Sequence, residues 1–103
     1  MTTERRALPM RRHSETFEVA FGGLNKHHTV TVGFYEDGSP GEVFINGGRS
    51  GEQVEAIARD GAVLLSMALQ CGVPLDTVKH ALTRDSFDAP LSIIGVVVDR
   101  LTS

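Results

Sequence analysis

The chain has 103 residues, of which 41% are hydrophobic and 22% charged, and its formal net charge is −3. This balance is typical of one soluble globular domain and excludes a disordered chain. No apolar run reaches the roughly 18 residues that a membrane-spanning helix needs, and the N-terminal segment lacks the apolar core of a secretory signal. The single cysteine, Cys71, rules out an internal disulfide and fits a reducing compartment. We therefore expect a cytoplasmic protein with no membrane partner.

The charge is unevenly distributed. The first 13 residues carry four arginines, namely Arg5, Arg6, Arg11 and Arg12. We therefore expect a basic N-terminal arm at residues 1–13, followed by one domain at residues 14–103. Such an arm can contact the phosphates of a nucleotide or nucleic acid. Because the charges are few and no aromatic residues lie between them, the alternative of a solvated, partly frayed terminus is favoured.

Two segments early in the chain alternate strictly between polar and apolar residues. They are ETFEVAF at residues 15–21 and HTVTVGF at residues 28–34, and a period of two is typical of half-buried strands. The glycines and the asparagine between them suit a hairpin, and EDGSPG at residues 36–41 is a second turn signal before the strand EVFIN. The pattern predicts an antiparallel meander of three strands.

The rest of the chain has helical spacing. Ser50 and Gln53 form a capping box at the start of a long helix, expected to run from about residue 51 to 71. Its apolar positions are Ile57, Ala58, Gly61, Leu64, Leu65, Ala68 and Cys71. Gly72 is expected to end this helix as a left-handed cap, Pro74 to start a second helix and Pro90 a third. The predicted fold class is α+β, a three-stranded antiparallel meander followed by three helices in a single layer on the sheet.

The long helix predicts association. Between Ala62 and Leu69 it is apolar on nearly every side, so more than one partner is needed to bury it. Gly61 costs about 1 kcal/mol relative to alanine within a helix, which a close backbone crossing would explain. The C-terminal segment adds further apolar residues, namely Ile93, Ile94, Val96, Val97 and Val98. We expect a homo-oligomer, most simply a dimer; the alternative is a compact monomer whose two apolar helices cover each other.

A glycine-rich corner joins the third strand to the long helix. It consists of Gly47, Gly48, Arg49, Ser50 and Gly51. The corner lacks the first glycine and the lysine of a Walker-type loop, and no parallel strand follows as in the dinucleotide fingerprint. The N–H groups of a helix start can still accept an anion, with Arg49 beside them and the arginines of the arm, Arg11 and Arg12, as further contacts. The alternative is a plain capped turn.

Metal and catalytic sites are not predicted. His27 and His28 are neighbours on a strand, so their side chains point to opposite faces and cannot hold one metal together. With one cysteine and no spaced set of ligands, we expect no metal and no cofactor. Cys71 on the apolar helix is expected to be a core thiol rather than a nucleophile. Asp60 lies one step from the apolar stripe and would need a cationic partner if it were buried.

Three longer stretches of the chain resemble one known family. They are LPMRRHSETFEVAFGG, TVTVGFYEDGSPGEVFIN and SMALQCGVPLDTVKHALTRD, in this order. Together they closely resemble the TSCPD domain over roughly residues 8–101. The family places this domain near the C-terminus of adenosylcobalamin-dependent ribonucleotide reductases and also in short stand-alone proteins of bacteria and phages. The most specific matches are YEDG-x-x-GEVFI, LQ-x-GVPL and the glycine corner.

The resemblance implies an accessory domain related to deoxyribonucleotide metabolism, without catalysis of its own. Ribonucleotide reduction needs a radical-bearing cysteine and a redox cysteine pair, whereas this chain has only Cys71. The Thr-Ser-Cys-Pro-Asp sequence that names the family is also absent. Two functions remain open. One is a module that binds a nucleotide or nucleic-acid phosphate at the corner, which needs a basic concave patch around Arg49. The other is a module that self-associates or docks on a larger protein, which needs an exposed apolar face.

Overall fold

The computed structural model describes residues 4–22, 26–47 and 53–102. The strands are β1 (Ser14–Ala20), β2 (His27–Phe34) and β3 (Pro40–Gly47), and the helices are α1 (Gln53–Gln70), α2 (Leu75–Ala81) and α3 (Ile93–Thr102). The sheet has the order β1-β2-β3, and both strand pairs are antiparallel. The α+β class and the meander followed by three helices are therefore confirmed.

The hydrophobic core lies between one face of the sheet and the helices. β2 is the central strand, where Val30 is paired with Ile45 and Val32 with Val43. The period-two pattern puts these four side chains on the same face, and all are buried. The helical residues that pack on them are Ala58, Ala62, Leu65 and Leu69 of α1 and Ile93, Val97 and Val98 of α3. The core is thus rich in valine on the sheet side and closed by a single layer of helices.

Gly61 marks the place where α3 meets α1. A Cβ added at Gly61 would lie 2.6 Å from Cγ1 of Ile94. A close approach of α3 therefore explains Gly61, as the sequence predicted. The group that approaches is a side chain of α3 and not its backbone.

The predicted buried stripe of α1 is wrong at two positions. Ile57 is 59% exposed and Leu64 is 67% exposed. Ala58 and Leu65, two of the predicted positions, do face the core, together with Ala62 and Leu69 at the same helical spacing. α3 leaves Ile57 and Leu64 exposed in the single chain, and the oligomeric state stays a prediction.

The ends of the helices agree only partly with the prediction. Gly72 has φ 87°, and the N–H of Val73 donates to the carbonyl of Ala68 at 3.0 Å, so the left-handed cap is confirmed. Pro90 does not open the third helix. Ser92 caps it, because its Oγ accepts from the N–H of Gly95 at 3.1 Å and α3 begins at Ile93. Ser50 of the predicted capping box lies outside the described residues.

Most of the apolar C-terminal segment belongs to the core. Ile93, Val97 and Val98 are buried, and Ile94 and Val96 pack against the core from its border. This segment therefore leaves less apolar surface exposed than its sequence suggests. The exposed large apolar residues that belong to helices, Ile57, Val63, Leu64 and Met67, all lie on α1.

The described part of the N-terminal arm is attached to the domain. The N–H of Arg6 donates to the carbonyl of Gln70 at 2.7 Å, and the hydroxyl of Tyr35 donates to the carbonyl of Arg6 at 2.6 Å. The Arg6 guanidinium also lies over the ring of Tyr35, 3.8 Å from its centroid. Tyr35 and the end of α1 therefore hold the arm at Arg6, while Arg5, Arg6, Arg11 and Arg12 are all exposed, as the solvated alternative expects.

Candidate functional site

Gly47 ends β3 in a position that admits no side chain. Its φ is 140°, and an added Cβ would lie 2.7 Å from the carbonyl oxygen of His27 and 2.8 Å from Cα of His28. The other predicted corner residues, Gly48, Arg49, Ser50 and Gly51, lie outside the described residues. Anion binding at the corner therefore stays a prediction.

His28 lies beside Gly47 with an unsatisfied nitrogen. The side chain is on the core face and only 3% exposed, and its Nδ1 has no hydrogen-bond partner among the residues that the structure describes. Leaving a buried polar atom unpaired costs about 1–3 kcal/mol. His27 is exposed, as expected for the neighbouring position on a strand. Sequence reasoning considered His28 only as a metal ligand and missed it as a buried polar group next to the corner.

Arg12 lies at the other end of β3 from Gly47. Its Nε is 2.8 Å from Oε2 of Glu42. Glu42 is five residues before Gly47 on the strand, which corresponds to about 16 Å. Arg11 is an exposed neighbour of Arg12. The structure therefore does not bring Arg11 and Arg12 together with Gly47.

The outer edge of β3 is partly closed by polar side chains of α1. Ser66 Oγ accepts a hydrogen bond from the N–H of Val43 at 2.8 Å, and Gln70 Nε2 donates to the carbonyl of Gly41 at 2.9 Å. These backbone groups face away from β2 and would otherwise be open to another strand. Sheet extension is thus blocked at this end of the edge. The pairing also explains why α1 buries a serine and a glutamine.

A groove of about 450 Å³ runs between α1 and β3. Its apolar lining includes Phe44 of β3 and Val63 and Met67 of α1, all three of which are substantially exposed. We call this feature the α1–β3 groove. Its volume and apolar lining are those of a surface that receives a side chain or a small ligand.

One arginine in the groove has a neutral partner. Arg5 donates from Nε at 2.9 Å and from Nη2 at 2.6 Å to Oε1 of Gln70, so its guanidinium is fixed in place by an amide. The other charged residues of the groove, Arg59 and Glu42, are ion-paired with Glu55 and Arg12 respectively. Sequence reasoning counted Arg5 only as part of a basic arm and could not see that Gln70 positions it.

The face of α1 that points away from the sheet is largely apolar. We call it the outer α1 face and define it by Ile57, Val63, Leu64 and Met67, all exposed. Asp60 lies within this face and is exposed too, so it needs no buried cationic partner. An apolar surface that covers about three turns of one helix is unusual for a monomer, in which exposed apolar residues are normally scattered.

Residues 4–22, 26–47 and 53–102 contain neither a cluster of metal ligands nor a membrane-spanning helix. Within them, no group of three or more His, Cys, Asp or Glu side chains is placed to hold a metal ion. No helix among them has the length and apolarity to cross a membrane. Cys71 is a free, half-buried thiol at the end of α1.

Comparison with known proteins identifies the family. The family profile described as "TSCPD domain" matches residues 2–101, and the chain therefore belongs to the TSCPD domain family. Curated relatives include three proteins called "Vitamin B12-dependent ribonucleotide reductase". That of Rhodopirellula baltica is 33% identical over 84 residues, that of Bradyrhizobium diazoefficiens 34% over 85 and that of Agrobacterium fabrum 33% over 88.

The similarity covers most of this chain but little of its relatives. The alignments include 82% to 85% of this chain and only 7% to 8% of the reductases. No solved structure is significantly similar to the chain. The chain is thus similar to one small part of each reductase, which confirms the resemblance inferred from its motifs.

Proposed function

We propose that this chain is a non-catalytic accessory domain, related to vitamin B12-dependent ribonucleotide reductase, that acts by self-association. The observation that supports self-association is the outer α1 face, where four large apolar side chains are exposed on one helix. Of the two functions that the sequence leaves open, the interaction module is the one whose requirement, an exposed apolar face, is met by described residues.

Burial of the outer α1 face between two copies favours the free energy of association. Each apolar side chain removed from water contributes about 1.5–3 kcal/mol when it becomes fully buried. A two-fold contact buries the same residues on both copies and therefore doubles the effect. A stable interface covers on the order of 800 Å² per partner, so the outer α1 face forms its centre and neighbouring surface completes it.

In the proposed link to ribonucleotide reduction, this chain associates with a larger protein and does not catalyse the reaction itself. The relatives named as reductases are more than ten times longer than the aligned segment, which spans 7% to 8% of their length. The only thiol of this chain is Cys71, and a redox cysteine pair needs two. The proposed setting is cytoplasmic deoxyribonucleotide metabolism, in which the dimer docks on a larger protein.

Sedimentation equilibrium at micromolar concentration tests self-association. We expect a mass near twice the 11.1 kDa of one chain. Leu64→Asp is expected to produce monomers, because it places a charge on the outer α1 face. Met10→Ala, at a fully exposed apolar residue of the arm, is the matched control and should leave the mass unchanged. A single-chain mass for the unmodified protein would contradict the proposal.

A phosphate site at the glycine corner is the second candidate. The observation that favours it is the buried, unpaired Nδ1 of His28 next to Gly47, since a ligand at this end of β3 would offer that atom a partner. Binding of inorganic phosphate or a nucleotide should weaken with salt and with Arg49→Ala. Arg12→Ala, at the other end of β3, is the control. Equal loss of binding in both variants, or none in Arg49→Ala, would place the site elsewhere.

A further inference from the structure

Residues 83–91, which we call the Phe87 loop, form a tightly hydrogen-bonded connection between α2 and α3. Asp85 organises it, because its Oδ1 accepts from the N–H of Phe87 at 2.8 Å and from the N–H of Ala89 at 3.0 Å. At the base of the loop, the N–H of Leu91 donates to the carbonyl of Thr83 at 3.1 Å. The loop is therefore held in one conformation by its own backbone and one carboxylate.

Arg84 ties this loop to α3. Its Nη1 donates to the carbonyl of Asp88 at 2.7 Å, and its Nη2 is hydrogen-bonded to the carboxylate of Asp99. Asp88 itself has φ 64°, a left-handed conformation that is unfavourable for a residue other than glycine. The loop thus keeps an unfavourable backbone conformation, stabilised by the contacts of Arg84 and Asp85.

This arrangement presents an aromatic ring to solvent. Phe87 is 90% exposed although it is among the largest apolar residues of the chain. An aromatic side chain on a preorganised loop is well suited to binding, since little conformational freedom is lost when it enters a pocket. The carboxylate of Asp88, next to it, is also highly exposed, with Arg84 Nε 3.8 Å from its Oδ1, so most of the carboxylate is still open to a second cation. A matching partner has an apolar pocket with a cation at its rim.

The α1–β3 groove of this same chain has that chemistry. Phe44, Val63 and Met67 provide its apolar lining, and the guanidinium of Arg5 is held there by the neutral amide of Gln70. The Phe87 loop and the α1–β3 groove are complementary in shape and in charge. The loop presents a protruding aromatic residue beside a carboxylate, and the groove presents an apolar lining beside a guanidinium.

We infer that the Phe87 loop of one copy inserts into the α1–β3 groove of a second copy, with Phe87 against the apolar lining and Asp88 near Arg5. The inference rests on the proposed self-association and names the contact that produces it. Each copy carries both a loop and a groove. A two-fold exchange therefore closes a dimer through two equal contacts. Because Val63 and Met67 belong to the α1–β3 groove and also to the outer α1 face, the same exchange brings the outer α1 face close to the partner.

Complementation between two variants tests the inference by sedimentation equilibrium. Phe87→Ala removes the aromatic ring, and Phe44→Glu places a carboxylate in the groove. Both residues are exposed, so both variants are expected to fold, which circular dichroism checks. Each variant alone should associate about tenfold more weakly or worse. An equal mixture should regain part of the association, because one of the two contacts in the mixed dimer joins an intact loop to an intact groove. Met10→Ala should behave as the unmodified protein.

The outcomes separate this inference from the proposed function. If the unmodified protein is a monomer, both are wrong. If it dimerises, and the dimer survives Phe87→Ala and Phe44→Glu but is lost in Leu64→Asp, self-association stands and the loop–groove contact is wrong. If each variant weakens the dimer but their mixture gains nothing, the loop and the groove are not partners, and the inference is again overturned.

Discussion

The side chain of Ile94 occupies the space that a side chain at Gly61 would need, with only 2.6 Å between Ile94 Cγ1 and an added Cβ. These two residues fix how α3 crosses α1. Because α3 also contributes Ile93, Val97 and Val98 to the core, the crossing sets the position of the whole C-terminal helix over the sheet.

Gly61→Ala is expected to destabilise the protein although alanine is the better helix former. The gain in helix propensity is about 1 kcal/mol, whereas forcing a methyl group against Ile94 costs about 1–3 kcal/mol. Urea denaturation should therefore show a net loss or, where Ile94 shifts, no gain. In an Ile94→Ala background the same substitution should become stabilising. Equal stabilisation by Gly61→Ala in both backgrounds would show that the close approach has no energetic effect.

Ser66→Ala is expected to open the edge of β3. The substitution removes the acceptor of the Val43 N–H, which is buried and directed away from β2. A buried donor left without a partner costs about 1–3 kcal/mol. Urea denaturation measures the loss, and amide hydrogen exchange at Val43 should become faster than at Val32 on the central strand. Ser86→Ala, at an exposed residue of the Phe87 loop, is the matched control. Unchanged exchange at Val43 would contradict the role assigned to Ser66.

The contact between Arg84 and Asp99 is expected to make stability depend on pH. The hydrogen bond from Arg84 lowers the pKa of Asp99, and the same bond raises the pKa of Arg84. A carboxylate with a lowered folded-state pKa stabilises the fold above its unfolded pKa, and this contribution is lost as pH falls through the folded value. The unmodified protein should therefore lose its stability advantage over Asp99→Asn as the pH falls below the ordinary aspartate pKa of about 4.

The control for this pH effect is the arginine. In an Arg84→Gln background, Asp99→Asn should change the pH dependence of unfolding much less, because the largest cause of the lowered pKa has been removed and only the weaker attraction of Lys79 is left. An NMR titration of the Asp99 carboxyl checks the direction independently. A midpoint at or above the value of an ordinary aspartate would show that the contact does not favour the charged carboxylate.

How far the sequence predicts this molecule depends on the range of the interactions involved. The strands follow from a period of two, and the Gly72 cap follows from glycine itself, so local rules suffice there. The buried side of α1 did not follow, because Ile57, Leu64, Leu65 and Ala62 are all apolar and only the sheet and α3 decide which of them are covered. A helix that is apolar all round carries no directional signal.

The candidate sites show the same limit. Arg5 and Gln70 are 65 residues apart in sequence, and no local pattern connects them. The attachment of the arm depends on the hydroxyl of Tyr35, a residue that lies between the predicted strand at 28–34 and the turn signal at 36–41. The rigidity of the Phe87 loop depends on the hydrogen bond from Arg84 to Asp99 on α3. Contacts between distant segments, rather than composition, create both the groove and the loop that we propose to fill it.

His28→Leu is expected to separate the structural from the ligand-binding role of the corner. Replacing a buried side chain whose Nδ1 has no partner with an apolar one of similar size should raise the free energy of unfolding by about 1 kcal/mol or more. If phosphate binds beside Gly47, it should stabilise the unmodified protein in proportion to the logarithm of its concentration above Kd, and should stabilise His28→Leu much less. Thermal unfolding with and without phosphate measures both effects.

His27→Leu, on the exposed face, is the control for each. If phosphate stabilises His28→Leu and His27→Leu equally, His28 does not belong to a phosphate site. If His28→Leu is less stable than the unmodified protein without phosphate, the imidazole already has a partner in the free protein.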